Sequence, residues 1–458
     1  MVEPSGVTNS RPHIARALRT LSEDVRPTYE GSVAFGPSLT IDRFRYTNGL
    51  TLLCCADPSA PVLSYHTWFR VGSRHERTGK TGLAHLFEHL MFGETAHLAP
   101  GEYDRRLEEA GAETNASTWL DFTQYTVNAP ANALSLVVEL EAERLQFLAL
   151  TEKQVSTEKD VVANERRYRV DDDIEGATSE LLWATAFTKH SYHWPTIGWM
   201  PDIMGFTPSD CEAFYRTYYA PNNATVVVCG DFGLADLLEK VGQAYRPLAA
   251  ATLPLEDVTP EPPQLEERHV EITKPTPTEK LVLGYRGPAI GDFDHLAVSV
   301  LAEAICGGRP SRLIKRLVHD LEIAADVRMF VGPFRDPGLI EISVTARDEH
   351  RAEELLAVVD EELERVQREP VTEDELARAL ARLELGLLAS LETVDGKSST
   401  IGFYETLLGR PAAAFERLEA MQRMTQSDLL RAARRFLGKE SRTTLVVRRS
   451  AEEQDGEA

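Results

Sequence analysis

His85-Leu86-Phe87-Glu88-His89 brings two imidazoles and a carboxylate into five residues. On a helix, positions i and i+4 lie one turn apart on the same face, so both rings can reach one ion. Position i+3 shares that face and sets the Glu88 carboxylate beside a water on the ion. Two imidazoles, one carboxylate and a position left open for water suit Zn2+. Such a water acidifies toward neutral pH, and a neighbouring carboxylate can take its proton. The chemistry on offer is metal-assisted hydrolysis, in an H-x-x-E-H order that reverses the commoner H-E-x-x-H. Two helix-face histidines can also be merely packed or solvated, so a third ligand is required. The stretch Val155–Tyr168, VSTEKDVVANERRY, offers Glu158 and Glu165 seven residues apart. Two turns separate them on one face, so one can ligate while the other supports a ligand from behind.

These residues need elements to carry them. Between Gly82 and Gly93 the apolar spacing is helical: Leu83, Leu86, Phe87, Leu90, Met91. A further helix is expected at Glu102–Ala110, and a long one opening at Thr151, whose T-E-K-Q start suits an N-terminal cap. Alternating apolar runs at Leu50–Cys54 and Val62–Val71, joined by Asp57-Pro58-Ser59, read as strands around a turn. Thr118–Val127 is strand-like. Residues 1–38, with Pro4, Pro12, Pro27 and Pro37, read as an N-terminal extension that wraps a neighbour or stays mobile.

The segment 247–266, with five prolines among acidic residues, reads as a stiff exposed linker. It separates a domain at 39–246 from one at 267–450, followed by an acidic tail at 451–458. The halves echo each other. TPSDCEAFYRTYYAPNNATVVV (207–228) aligns without gaps to TQSDLLRAARRFLGKESRTTLV (425–446), each a capped amphipathic helix followed by a β-branched strand. Leu150-Thr151-Glu152 likewise pairs with Val371-Thr372-Glu373. Two copies of one α+β unit, each an antiparallel sheet packed with helices, are the expected architecture.

Composition narrows the partners. With 458 residues, 43% hydrophobic and 26% charged, the chain suits a globular protein of at least two domains. The net charge of −23 disfavours a nucleic-acid partner, which needs clustered Lys and Arg. Five cysteines without a C-x-x-C pair read as buried thiols. No apolar run is long enough to span a bilayer, and the N-terminus lacks a secretory pattern, so a cytoplasmic location is expected.

With its spacing, the motif resembles the pitrilysin-like (inverzincin) metallopeptidases, and most closely bacterial half-size members related to mitochondrial processing peptidase. Their pattern is H-x-x-E-H, about 75 residues, then a glutamate ligand with another glutamate seven positions before it. Here 75 residues lie between His89 and Glu165, and Glu158 is seven earlier. Asn115-Ala116-Ser117-Thr118, with Asp121, Thr123 and Tyr125, resembles the family's N-A-x-T-x-x-D-x-T-x-Y strand. His190–Ile203 and YYAPNNATVVVCGDF extend the likeness, which covers about 39–449. The resemblance implies zinc on His85, His89 and Glu165, with Glu88 activating the water and Glu158 orienting the site. It also implies that the strand with Asn115, Ala116, Ser117 and Thr118 takes a peptide substrate as an added β-strand. His190 and His193 have no partner spacing and are expected to pack.

The second half drops the chemistry. The helix matching that of His85 reads Ala297–Gly308 and has no histidine, and the Thr151/Thr372 register puts Ala379 and Gly386 at Glu158 and Glu165. Active relatives carry there Leu-Arg followed seven positions later by Tyr, a pair that stabilises the oxyanion. Val318 and Ala325 stand at those places, and no Tyr lies between 286 and 403. Losing such donors costs about 100- to 1000-fold in turnover each. The resemblance therefore implies a zinc endopeptidase subunit working in a closed chamber, completed by a homologous chain that supplies the Arg/Tyr pair as a heterodimer. A self-sufficient homodimer using Arg309 or Arg328, or a non-catalytic scaffold subunit, are the alternatives.

Overall fold

The computed structural model describes residues 12–257 and 259–450. The acidic tail and the first eleven residues lie outside the described residues. The chain divides into two compact units: Met1–Asn164 with Thr196–Asp257 and Ala389–Phe415, and Glu165–Pro195 with Val258–Leu388 and Glu416–Ala458.

The first unit is built on a seven-stranded sheet, in the order β1-β2-β3-β7-β4-β6-β5. Its strands are β1 (Thr28–Phe35), β2 (Leu39–Arg45), β3 (Thr51–Ala56), β4 (Val62–Phe69), β5 (Glu113–Thr118), β6 (Thr123–Pro130) and β7 (Ala224–Gly230). The second unit has β8 (Arg268–Lys274), β9 (Lys280–Arg286), β10 (Ala324–Val331), β11 (Leu339–Ala346) and β12 (Arg442–Arg449), in the order β10-β11-β9-β12-β8. The sequence β3-β7-β4-β6-β5 thus recurs as β8-β12-β9-β11-β10. Each sheet is antiparallel except for one parallel pair, β3 with β7 and β8 with β12. Alternation selects one face of each sheet for its core: Tyr125, Val127 and Ala129 on β6, and Ile340, Ile342 and Val344 on β11, are at most 4% exposed. Fully burying a large apolar side chain contributes about 1.5–3 kcal/mol, and these rows sit in the two contiguous apolar cores.

The repeat is visible in atomic detail. Thr207 and Thr425 both cap a helix, each exchanging capping-box hydrogen bonds with an aspartate, Asp210 or Asp428. Each helix runs into a short 3-10 turn and then a strand, β7 or β12. A further echo escaped the sequence reading. The helix Ile174–Ala186 is capped by Asp173 on Gly176 N, and the helix Val394–Leu408 by Thr393 on Gly396 N. These helices are exchanged between the halves. Ile174–Ala186 packs on β8, β9 and β12 of the second unit, whereas Val394–Leu408 packs on β4 and β7 of the first. In each, the acid after the first helical residue meets the sheet: Glu175 pairs with Lys280, and Asp395 bonds His66 Nε2 and Asn128, both at 3.0 Å. The units therefore do not coincide with the linear halves.

Four local expectations are corrected. Within 1–38, Pro12–Thr20 is a helix whose Ile14 and Ala17, with Leu21 and Val25 beyond it, enter the first core, and Thr28–Phe35 forms edge strand β1. The signal was there: Ile14, Ala17, Leu18 and Leu21 recur at helical spacing. β3 and β4 are not neighbours, because β7 lies between them and pairs with both. Thr118–Val127 is not one strand: it spans the last residue of β5, the hairpin turn at 119–122 and the first five residues of β6, with Ala116 opposite Tyr125. Finally, 247–266 has no helix or strand among its described residues, yet it is pinned. Glu261 accepts hydrogen bonds from the backbone N–H of Thr188, Lys189 and His190 at 2.7–2.8 Å. Those bonds outweigh burial and hold its carboxyl at about 2, against an ordinary 4.5. All five cysteines are free and buried.

Candidate metal centre

The helix Leu83–Leu90 spends its apolar residues on the core. Leu83, Leu86, Phe87 and Leu90 are at most 5% exposed, and the Phe87 ring stacks on Phe214 and Tyr215. The opposite stripe keeps His85, Glu88 and His89, with the two imidazole centroids 5.0 Å apart and inclined at 67°. The helix Glu152–Arg166 buries Val155, Val162 and Ala163, which leaves Glu158 and Glu165 half-buried on another face. The unit division falls inside this helix, one residue before Glu165, so Glu165 rides on the same unbroken helix as Glu158.

His85, His89 and Glu165 each offer a ligand atom, and these atoms lie within 4.8 Å of one another. No other such group of three occurs among the described residues. Two imidazole nitrogens and a carboxylate oxygen are the right donors for zinc, so the residues fit the ion. Glu158 Oε2 lies 3.8 Å from His89 Nδ1, a position that leaves Nε2 for a metal. Burial pushes the Glu158 carboxyl up, and His89 opposes that shift. Glu165 also meets Arg169 at 3.1 Å, one turn on.

Asn115, Ala116, Ser117 and Thr118 stand on β5, the last strand of its sheet, against which the His85 helix packs. One row of β5 backbone groups therefore pairs with no strand among the described residues. His190 is a packing residue: its Nδ1 accepts from Tyr192 N and its Nε2 meets Asp336 at 3.1 Å.

In the second unit, the helix matching that of His85 starts four residues earlier than the sequence suggested, at Phe293, and contains His295. That histidine is not spare. Its Nε2 lies 3.1 Å from Gly332 O and its Nδ1 2.9 Å from Arg417, and burial with the Arg417 charge pushes it down to about 4. The helices Glu152–Arg166 and Glu373–Ser390 start in register, with Ala379 and Gly386 at the places of Glu158 and Glu165. Val318 lies in a π-helical turn and Ala325 at the start of β10.

Sequence reasoning missed Glu76, which bonds the start of the His85 helix. The available signal was Gly82, a helix-capping position with no side chain to cap with.

The family described as Insulinase (Peptidase family M16) matches residues 52–198, and the Peptidase M16 inactive domain matches 205–383. The zinc protease PqqE of Helicobacter pylori is 30% identical over 395 residues, 84% of this chain and 88% of that protein. An uncharacterised zinc protease of Streptomyces coelicolor is 25% identical over 416 residues, 89% of each. The crystal structure of a protease from Helicobacter pylori superposes with a TM-score of 0.85 at 28% identity, covering 92% of this chain and all of that one. An M16 inactive-domain structure from Pseudomonas fluorescens, at 18% identity and a TM-score of 0.82, shares the fold. Among the described residues no helix is long and apolar enough to cross a membrane. Sequence and fold agree along nearly the whole chain, which belongs to peptidase family M16.

Proposed function

We propose that this chain is a zinc-dependent endopeptidase subunit that hydrolyses peptides or unfolded segments in an enclosed chamber. The observation that carries the reading is the convergence of His85, His89 and Glu165, two of them on the helix that also bears Glu88. Zinc, when bound, supplies the Lewis acidity that makes water a nucleophile near neutral pH. His85, His89 and Glu165 are its ligands. Glu88 takes the proton of the attacking water and returns it to the leaving amine. Glu158 orients His89. An extended substrate adds to the free edge of β5 at Asn115–Thr118, where main-chain hydrogen bonds are indifferent to side chains.

The oxyanion donors come from a second, related chain. Val318 and Ala325 carry no donor at the positions that the family resemblance assigns to Arg and Tyr, which supports a heterodimer over a homodimer using Arg309 or Arg328. The full set His85, Glu88, His89, Glu158 and Glu165 argues against a pure scaffold, which has no use for all five. The test is hydrolysis of a quenched-fluorescent peptide by the purified chain, alone and with an M16 chain carrying Arg-x6-Tyr. Chelator-sensitive activity that rises on adding that chain is expected. Full activity without it would overturn the heterodimer, and chelator-insensitive activity would overturn the zinc reading.

A further inference from the structure

We propose that Glu76 is a positioning residue for the metal, clamping the start of the helix that carries both histidines while Tyr125 clamps its far end. The inference rests on the zinc reading above. The helix Leu83–Leu90 has only eight residues, too few to be stable by itself, so its placement must come from outside. Its capping residue, Gly82, is left-handed at φ 94° and offers no side chain to the first free N–H groups. The Glu76 carboxylate takes that role, accepting from Gly82 N through Oε2 and from Ala84 N through Oε1, both at 2.7 Å. Burial pushes the Glu76 carboxyl up, and the bonds from Ala84 N and Gly82 N, with the helix dipole, oppose that shift. Two bonds from one rigid group fix the height and the rotation of the first turn, and Ala84 immediately precedes His85.

The surroundings make that geometry hard to relax. A Cβ on Gly82 would come within 2.5 Å of Ile197 O and 2.9 Å of Gly198 Cα, so the two glycine backbones interlock. Thr81 is held in turn by Asp202, through its N–H at 3.1 Å and its hydroxyl at 2.6 Å. At the other end, the buried Tyr125 hydroxyl donates to Phe87 O at 3.0 Å, the carbonyl just before Glu88. The Tyr125 ring is itself fixed by the Arg144 guanidinium, 4.3 Å above its centroid. Neither residue is a metal ligand in this arrangement. Each sets where the ligands and the base stand, and a misplacement of about 1 Å at such a site can cost about 100-fold in rate.

The test is Glu76→Gln in the full chain, with zinc affinity measured by chelator competition and, with the M16 chain carrying Arg-x6-Tyr added, kcat and KM measured on one peptide. The amide keeps an acceptor for one N–H and turns a donor toward the other. Zinc affinity is expected to fall about 10-fold or more, and kcat to fall with KM unchanged, in a variant that remains folded by circular dichroism. A folded Glu76→Gln with wild-type zinc affinity overturns the inference while leaving the zinc reading standing. A wild-type chain that binds no zinc overturns both. Should Glu76→Gln fail to fold, Tyr125→Phe removes a single hydroxyl at the opposite end. Weakened zinc binding by that variant supports the clamp, and wild-type affinity overturns it.

Discussion

The helices Leu83–Leu90 and Phe293–Cys306 serve units that share a five-strand order, yet they leave different residues over. The first buries one apolar stripe and keeps two histidines and a glutamate on the other side. The second is buried nearly all round by Leu, Ala, Val and Ile, and its one histidine, His295, has both ring nitrogens engaged. The same contrast holds for the long helices that start in register, where Ala379 and Gly386 occupy the positions of Glu158 and Glu165. The shared part of the pattern is apolar spacing and caps, and it suffices to build the unit twice. The chemistry depends on a few positions that packing does not use, so one copy can lose them and still fold.

This contrast can be broken most severely at Glu88. Glu88→Gln is expected to keep zinc and to lower peptide turnover about 100- to 10,000-fold, because the amide cannot accept the water's proton. Turnover at the wild-type rate would remove Glu88 from the chemistry.

A second break lies in the packing under the first repeat. Arg144 is 1% exposed, pairs with Glu141 at 2.6 Å, and sits among the Phe92, Tyr103 and Tyr125 rings. Arg144→Met leaves the Glu141 charge buried without its cation, at an expected cost of about 3–5 kcal/mol in denaturant unfolding. A cost below about 1 kcal/mol would mean that the buried pair contributes little to the stability of the first core.

The linker sharpens the comparison at smaller scale. Glu261→Gln is expected to lower stability by about 1–3 kcal/mol at pH 7, since the carboxylate accepts several backbone N–H bonds. Its folded value of about 2 lies below the ordinary 4.5, so its contribution is fully present above 4.5. That contribution is lost as pH falls through 2. Unfolding curves of the two proteins should converge near pH 2, and a pH-independent gap would contradict the assignment.

The smallest effect is expected at the position matching Glu165. A Cβ on Gly386 would meet nothing within 4 Å, on a helix interior where glycine is unfavourable. Gly386→Ala should stabilise the chain by about 0.5–1 kcal/mol with zinc content and activity unchanged, as melting temperature and metal analysis would show.

Local spacing made much of this legible. The helices bearing His85 and Glu165, and the repeated Thr-capped helix and strand, follow from periods of 3.6 and 2 and from caps, all written in neighbouring residues. What stayed hidden depends on partners far along the chain. Nothing in the stretch 174–186 says which sheet it will cover, and β7 enters between β3 and β4 from 155 residues beyond β4. The Glu261 anchor is invisible for the same reason, because its partners at 188–190 lie about 70 residues away. The helix at Pro12–Thr20 is a different case, for its spacing was present but obscured by the surrounding prolines.

The central claim, one zinc held by the first repeat and none by the second, is tested most directly by metal analysis of the purified chain beside His85→Ala. One zinc per wild-type chain, and loss of stoichiometric zinc from the variant, is the expected result. Full zinc retained by His85→Ala, or two zinc ions per wild-type chain, would contradict it.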